Sequence, residues 1–492
     1  MSVAGHDKTF RGFLDYMRQP LPVRDLLVLA GLMLAVGIAF HTLYPFPFTF
    51  PDSGSYVLTA KEGTFNVYRP MGYSTYMSWV HGIASGPTAL FAVSYLLSGL
   101  ATLFALFSAR YLLGIERRWV FYAMSLAAIL SPRIIFSTNF IMSDGLFTTL
   151  VMIFTATALW LVFSRNLLLV AAHLLVFVAL YKVRYSGMFL LPVSMAALWC
   201  GFGGRAAWLR IVAALVPVLI FGALFNATKS EYARQTGVDT FSGFGGWQLV
   251  NNASTLMPEA KEIRRSELPV GVQPVHEFLS LYPDSLFDCR HTMTTDYMWS
   301  NELPYKQFLF YYMQSTGMPY PQAWASVGKL YGDYAGSLIG RYPGRYLTRY
   351  LLPSAGSLFR CGRMIEEGME FKGEPLYREY FSITQQTYRH SHTFFTDIYP
   401  VRAAFNVVWW LALGVCAVWF CVVMLRRGLP GRKQRTAAAI LLGFILIYLG
   451  SSAIASPCTT WRYTMPMFVP SVVFVFYCVS AFIDKRRGDA GE

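Results

Sequence analysis

Asp52 in PDSGSY and Arg69 in YRPMGYS are the first residues of this chain whose types and spacing could do chemistry. A carboxylate can take the proton of a hydroxyl as that hydroxyl attacks. A guanidinium presents a planar fork to two phosphate oxygens at once and stabilises the charge that develops on a departing phosphate. One reaction uses both groups: displacement of a lipid phosphate from a sugar anomeric carbon by an acceptor hydroxyl. Asp52 also has a plainer reading, because Pro-Asp-Ser-Gly is a good turn sequence and Asp caps helices. Glu62, in the same stretch, has no defined task.

Further charges recur beside apolar runs. SPRIIFSTNFIMSDGLF carries Arg133 and Asp144, YKVRYSGMFLLP carries Lys182 and Arg184, and SPCTTWRYTMPMFVP carries Arg462 and Tyr463. If the runs pack as a bundle, these ends can meet the Asp52 loop in one cavity. Singly, each Lys or Arg can instead snorkel to headgroups. The expected site has Asp52 as base, with Arg69, Asp144, Lys182, Arg184, Arg462, Tyr463 and Tyr56 around the substrate.

The elements that must position these residues belong in a bilayer. Of 492 residues, 55% are hydrophobic and 14% charged, with mean hydropathy +0.41. Soluble domains carry about 25% charged residues. Apolar runs lie at 25–44, 89–113, 119–136, 145–163, 167–181, 187–200, 209–225, 402–425, 437–455 and 464–482. They predict an all-α polytopic membrane protein of about ten transmembrane helices. The runs at 167–181 and 187–200 are short enough for one to be re-entrant.

Net charge is +14. With a cytoplasmic N-terminus, the loops on that side hold seventeen Lys and Arg, against six in the short loops opposite: Lys61, Arg69, Arg133, Lys182, Arg184 and Arg462. The positive-inside rule therefore puts both termini in the cytoplasm and the Asp52 loop outside. Nucleic-acid binding would need a soluble basic domain, and none is visible. No short apolar run with a small-residue cleavage site opens the chain, so no cleaved signal peptide is read.

This divides the chain into a leader (1–24), an N-terminal transmembrane module (25–225) with its first external loop (45–88), an external domain (226–401) and a C-terminal transmembrane module (402–492). The external domain, before the last three spans, is too long for a bare loop and reads as mainly helical. Arg341, Arg345 and Arg349 share a helical face there and read as an amphipathic element on lipid headgroups. Cys289 and Cys361 could pair if the domain faces an oxidising compartment. The cysteines show no metal-binding spacing.

The order of these motifs carries a resemblance. An acidic residue follows the first span, Arg69-Pro70 precedes aromatics, and Ser143-Asp144 precedes the fourth span. Arg184-Tyr185-Ser186-Gly187 follows the fifth, and Arg462-Tyr463 with later prolines comes near the end. This resembles the GT-C superfamily of membrane glycosyltransferases, in particular its protein O-mannosyltransferase and lipid A aminoarabinose transferase branch. The resemblance implies a polyprenyl-phosphate sugar donor and a catalytic acidic residue in the first external loop, here Asp52 as the base. It places Arg69-Pro70 near the donor phosphate. The O-mannosyltransferases have adjacent acids where this chain has Asp52-Ser53, which weakens the case for a bound metal: no cofactor is required, and a divalent metal stays open but is not indicated.

The expected function is inverting sugar transfer to an acceptor hydroxyl at the periplasmic face of a bacterial inner membrane. The acceptor is a glycolipid, polysaccharide or protein, and membrane lipids are the other partners. A secondary transporter or lipid flippase competes, but no internal repeat is evident and the charges gather at one set of helix ends. A glycan ligase or polymerase using a pyrophosphate carrier also wants external arginines, but has less use for Asp52. A simple membrane anchor needs fewer spans.

Overall fold

A long apolar segment in a bilayer must satisfy its backbone internally, and the helix is the local way to do so. The computed structural model describes residues 8–164, 166–287, 296–361, 370–372, 374–384, 387–389, 399–426, 431–455 and 461–489. Among them, eight helices are long and apolar enough to cross a membrane: Pro20–Leu43, Pro87–Leu113, Arg118–Ser137, Ser143–Phe163, Ala207–Thr236, Tyr399–Leu425, Arg432–Ala455 and Arg462–Arg486. Leu167–Val183 and Tyr185–Gly201 are apolar but shorter. The chain is an all-α polytopic integral membrane protein. The ten expected spans become eight of full length and two short ones, Leu167–Val183 and Tyr185–Gly201, which lie at the lower end of the length that crosses the hydrocarbon.

Ser143–Phe163 is the axis of the bundle. Beyond Asp144 in its first turn it carries no charge on any face, as suits a helix enclosed by others, and 83% of its spanning window is buried. The helices Pro87–Leu113, Leu167–Val183, Leu191–Gly201, Arg432–Ala455 and Met465–Asp489 pack around it. At one end of the bundle, Asp25 is fully buried and accepts from Arg110 (2.8 Å), Tyr122 (2.8 Å) and Arg118 (3.4 Å).

Two boundaries differ from expectation. The first span helix starts at Pro20 rather than residue 25, with proline in the first turn, where its missing N–H has no intrahelical partner to lose. The preceding helix Phe10–Met17 is docked, with Phe13 against Trp160 and Tyr111, so this helix of the leader is part of the bundle. The seventh long run continues past 225 to Thr236, where Gly237 at φ +73° ends it. Gly tolerates that left-handed conformation without steric penalty.

Among the described residues, the inserted region before the last three spans is mainly helical, with one two-stranded antiparallel ribbon, Glu370–Lys372 with Thr387–Arg389. Much of it surrounds a core of its own. Helices Gly243–Asn252 and Tyr320–Arg341 form the centre, with Trp247 stacked on Trp324 at 4.1 Å. A Cβ on Gly246 would strike the backbone of Gly328, so these helices close to near contact. Helix Pro375–Phe381 instead packs Tyr377, Tyr380 and Phe381 into the bundle core. The three spaced arginines are tied within the domain: Arg341 to Glu267 (2.5 Å), Arg345 and Arg349 to Glu259 (2.5 and 2.8 Å). Carboxylates take the role expected of headgroups. Cys289 lies outside the described residues, so its pairing with Cys361 does too.

Candidate active site

The segment after the first span is fastened to the segment before the fourth. The Phe48 N–H donates to the Asn139 carbonyl (2.9 Å), and the Ile141 N–H donates to the Phe48 carbonyl (3.0 Å). The Asn139 amide donates to the carbonyls of Tyr44 (3.2 Å) and Phe46 (3.0 Å). Ser53 Oγ accepts from the Phe50 N–H and donates to the Ile141 carbonyl, both at 2.8 Å. These bonds carry Asp52 to the helix that bears Asp144. Glycines tighten the fit: a Cβ on Gly145 would collide with the Ser137 carbonyl, and one on Gly72 with that of Lys182.

Asp52 occupies the N-cap of helix Ser53–Glu62, but its side chain makes no capping bond. Its Oδ1 accepts from Arg69 Nη2 at 3.0 Å. The Asp52 side chain is 32% exposed and that of Arg69 13%, so a ligand can reach the carboxylate while the guanidinium is largely fixed. Arg69 lies over the Tyr56 ring at 4.8 Å, and the Tyr56 hydroxyl bonds Ser143 Oγ at 2.9 Å. Burial opposes the charge on Arg69, but Tyr56 and the Asp52 carboxylate outweigh it and hold the group above its ordinary value.

A second charged group lies in the same cavity. Asp144, 2% exposed in the first turn of its helix, accepts from Arg184 Nη1 at 2.5 Å, with Arg462 Nε at 3.5 Å. Arg184 lies over Tyr463 and Phe147, both at 5.6 Å. Asp52, Tyr56, Arg69, Asp144, Arg184, Arg462 and Tyr463 all line one cavity of about 460 Å³. Three guanidiniums against two carboxylates leave one positive charge in excess. That arrangement can hold a phosphate ester against fixed cations with a carboxylate alongside.

The structure therefore brings together every expected site residue except Lys182. That side chain is exposed and does not line the cavity. Its backbone is what matters, as the surface against which Gly72 packs. Arg133 is also absent from the lining and bonds Asn406 and Thr464, joining three spans. Glu62 is exposed and away from the cavity. Among the described residues, no three His, Cys, Asp or Glu side chains converge as a metal site would require.

Sequence reasoning missed Tyr68, Tyr185, Tyr448, Gln248 and Asn252, which also line the cavity. Tyr68 and Tyr185 adjoin Arg69 and Arg184, a signal that was available. Gln248 and Asn252 come from the inserted domain, whose docking no local pattern announces. That domain also grips the first loop: Tyr68 donates to the Tyr320 hydroxyl (3.2 Å), and Tyr232 to the Val67 carbonyl (3.3 Å).

No family model and no curated protein matches the chain. Among solved structures it is similar to ArnT from Cupriavidus metallidurans bound to undecaprenyl phosphate, at 13% identity and a TM-score of 0.33, covering 87% of this chain and 77% of that one. It is likewise similar to the same protein in the apo state, at 13% identity and a TM-score of 0.29, covering 93% and 78%.

Proposed function

We propose that the protein is an inverting glycosyltransferase that moves a sugar from a polyprenyl-phosphate donor to an acceptor hydroxyl. The observation that carries this is the cavity wall where Asp52–Arg69 and Asp144–Arg184–Arg462 lie together. The donor phosphate binds Arg69, Arg184 and Arg462, and Asp144 fixes the orientation of the last two. As Arg69 turns to the phosphate it releases Asp52, which accepts the proton of the acceptor hydroxyl. The acceptor oxygen bonds to the anomeric carbon, and the carbon–oxygen bond to phosphate breaks with its electrons staying on the phosphate. The arginines stabilise that departing charge. A single displacement inverts the anomeric centre.

By the distribution of loop charges, we assign the cavity to the outer face, periplasmic in a Gram-negative inner membrane, with both termini cytoplasmic. The acceptor is a glycolipid, polysaccharide or protein hydroxyl. Incubating the purified protein with a synthetic polyprenyl-phosphate sugar and envelope acceptors tests the reading. A product with the opposite anomeric configuration by NMR supports it; retention of configuration, or carrier movement across vesicles with no sugar transferred, overturns it.

A further inference from the structure

All five charged residues of the cavity lining come from the bundle and the first loop; the inserted domain contributes none. Its share comes mainly from helix Gly243–Asn252, whose sequence GFGGWQLVNN carries no charge. Phe244, Gln248 and Asn252 are four residues apart and so share one face, spread over about 12 Å of helix. Gly246, Trp247 and Val250 hold the helix against Tyr320–Arg341 and the domain core. The cavity face therefore sits on a rigid element.

The two amides on that face have capacity to spare. Among the described residues, nothing hydrogen-bonds the half-buried Gln248 amide. Asn252 is 1% exposed, and neither its Nδ2 nor its Oδ1 meets hydrogen-bond geometry. Tyr346 is its near neighbour: burial pushes that hydroxyl up to about 12, and the Asn252 amide pulls the other way. A buried amide aimed into a cavity without full partners is uncommon and points to a ligand. Carboxamides donate and accept together, which matches hydroxyl groups, and a Phe ring suits the apolar face of a sugar ring.

We propose that the Phe244–Gln248–Asn252 face is the subsite for the transferred sugar, and that it selects an uncharged, hydroxylated one. Charge decides the class. With the donor phosphodiester bound, three arginines, two carboxylates and one phosphate charge sum to zero, so a sugar ammonium would add an unmatched positive charge. The single excess positive charge is taken by the donor phosphate, so a sugar carboxylate would be left unmatched. This rests on the glycosyltransferase reading, and its test separates the two.

Full-length wild type, Gln248→Ala and Asn252→Ala are compared with polyprenyl-phosphate carriers of a neutral hexose, a hexuronic acid and an aminohexose, and with sugar-free polyprenyl phosphate. Competition against labelled sugar-free carrier measures binding apart from turnover. Wild type should bind the neutral donor at least about tenfold more tightly than either charged one. Each variant should lose about tenfold on the neutral donor while binding sugar-free carrier within about twofold of wild type. Gln248 is half-buried, so its variant still reports if Asn252→Ala fails to fold. Charged donors binding as well as the neutral one, or both variants binding it like wild type, overturns the subsite. The predicted binding order without turnover of any donor supports the subsite and contradicts the glycosyltransferase reading.

Discussion

Without a donor, Asp52 and Arg69 are paired, so the proposed mechanism makes the carboxylate available as base only when an anion competes for the guanidinium. Such an exchange discourages attack by water on a half-assembled site. Asp144 is different: nearly fully buried between Arg184 and Arg462, it holds both arginines in place. Removing one partner of a buried ionic group leaves the other charges uncompensated. Asp144→Ala should therefore destabilise the protein by about 3–5 kcal/mol in denaturant unfolding and weaken binding of sugar-free polyprenyl phosphate. Unchanged stability would show that the arginines find other partners. At this scale the sequence was informative, because charges beside apolar runs are rare enough to single out. Lys182 shows the limit. A helix end fixes where a residue lies but not which way its side chain turns, and only the backbone of Lys182 meets the site region.

Among the elements, the fastening of residues 44–53 to residues 139–141 determines whether Asp52 and Asp144 share a cavity. It consists of backbone bonds plus Asn139 and Ser53, neither of which a sequence pattern marks as important. Asn139→Ala removes two side-chain bonds, one buried and one partly buried. It should lower stability by about 1–3 kcal/mol and reduce transfer, since Asp52 is held through this joint. Wild-type transfer rates in that variant would mean that the joint is dispensable. The spanning helices themselves were legible from hydropathy. Their ends were less so: the helix to Thr236 continues beyond the apolar run because polar residues such as Lys229, Ser230 and Glu231 are tolerated once it leaves the hydrocarbon.

For the whole molecule, the inserted domain completes the cavity and holds the first loop through Tyr68 and Tyr320. Behind Tyr320 is Lys306, 4% exposed, donating to its hydroxyl at 2.7 Å and facing Trp324, Tyr320, Trp247 and Trp299 at 4.7–5.8 Å. Burial lowers its pKa from 10.5 to about 8. Below pH 8 both folded and unfolded chains carry that proton, so the penalty of the buried charge is felt in full. Between about 8 and 10.5 the unfolded chain holds a proton that the folded one has shed, so stability rises with pH. Lys306→Met should flatten that rise in thermal unfolding across the window; an identical slope would contradict it. By contrast, Lys61→Ala, which breaks an exposed pair with Glu379 at 2.7 Å, should change stability by less than about 1 kcal/mol. None of this domain's contribution to the cavity was legible. Its cavity-facing residues are uncharged and matter only because the domain docks on the bundle.

Asp52 is the proposed base. That role is tested most directly by single-turnover transfer from a polyprenyl-phosphate sugar in wild type and Asp52→Asn, with donor binding measured in parallel. Asparagine keeps the size but cannot take the proton, so transfer should fall by about 10²–10⁴-fold. Donor binding should hold or tighten, because Arg69 is freed. Transfer at the wild-type rate in Asp52→Asn, with donor bound, would rule Asp52 out as the base.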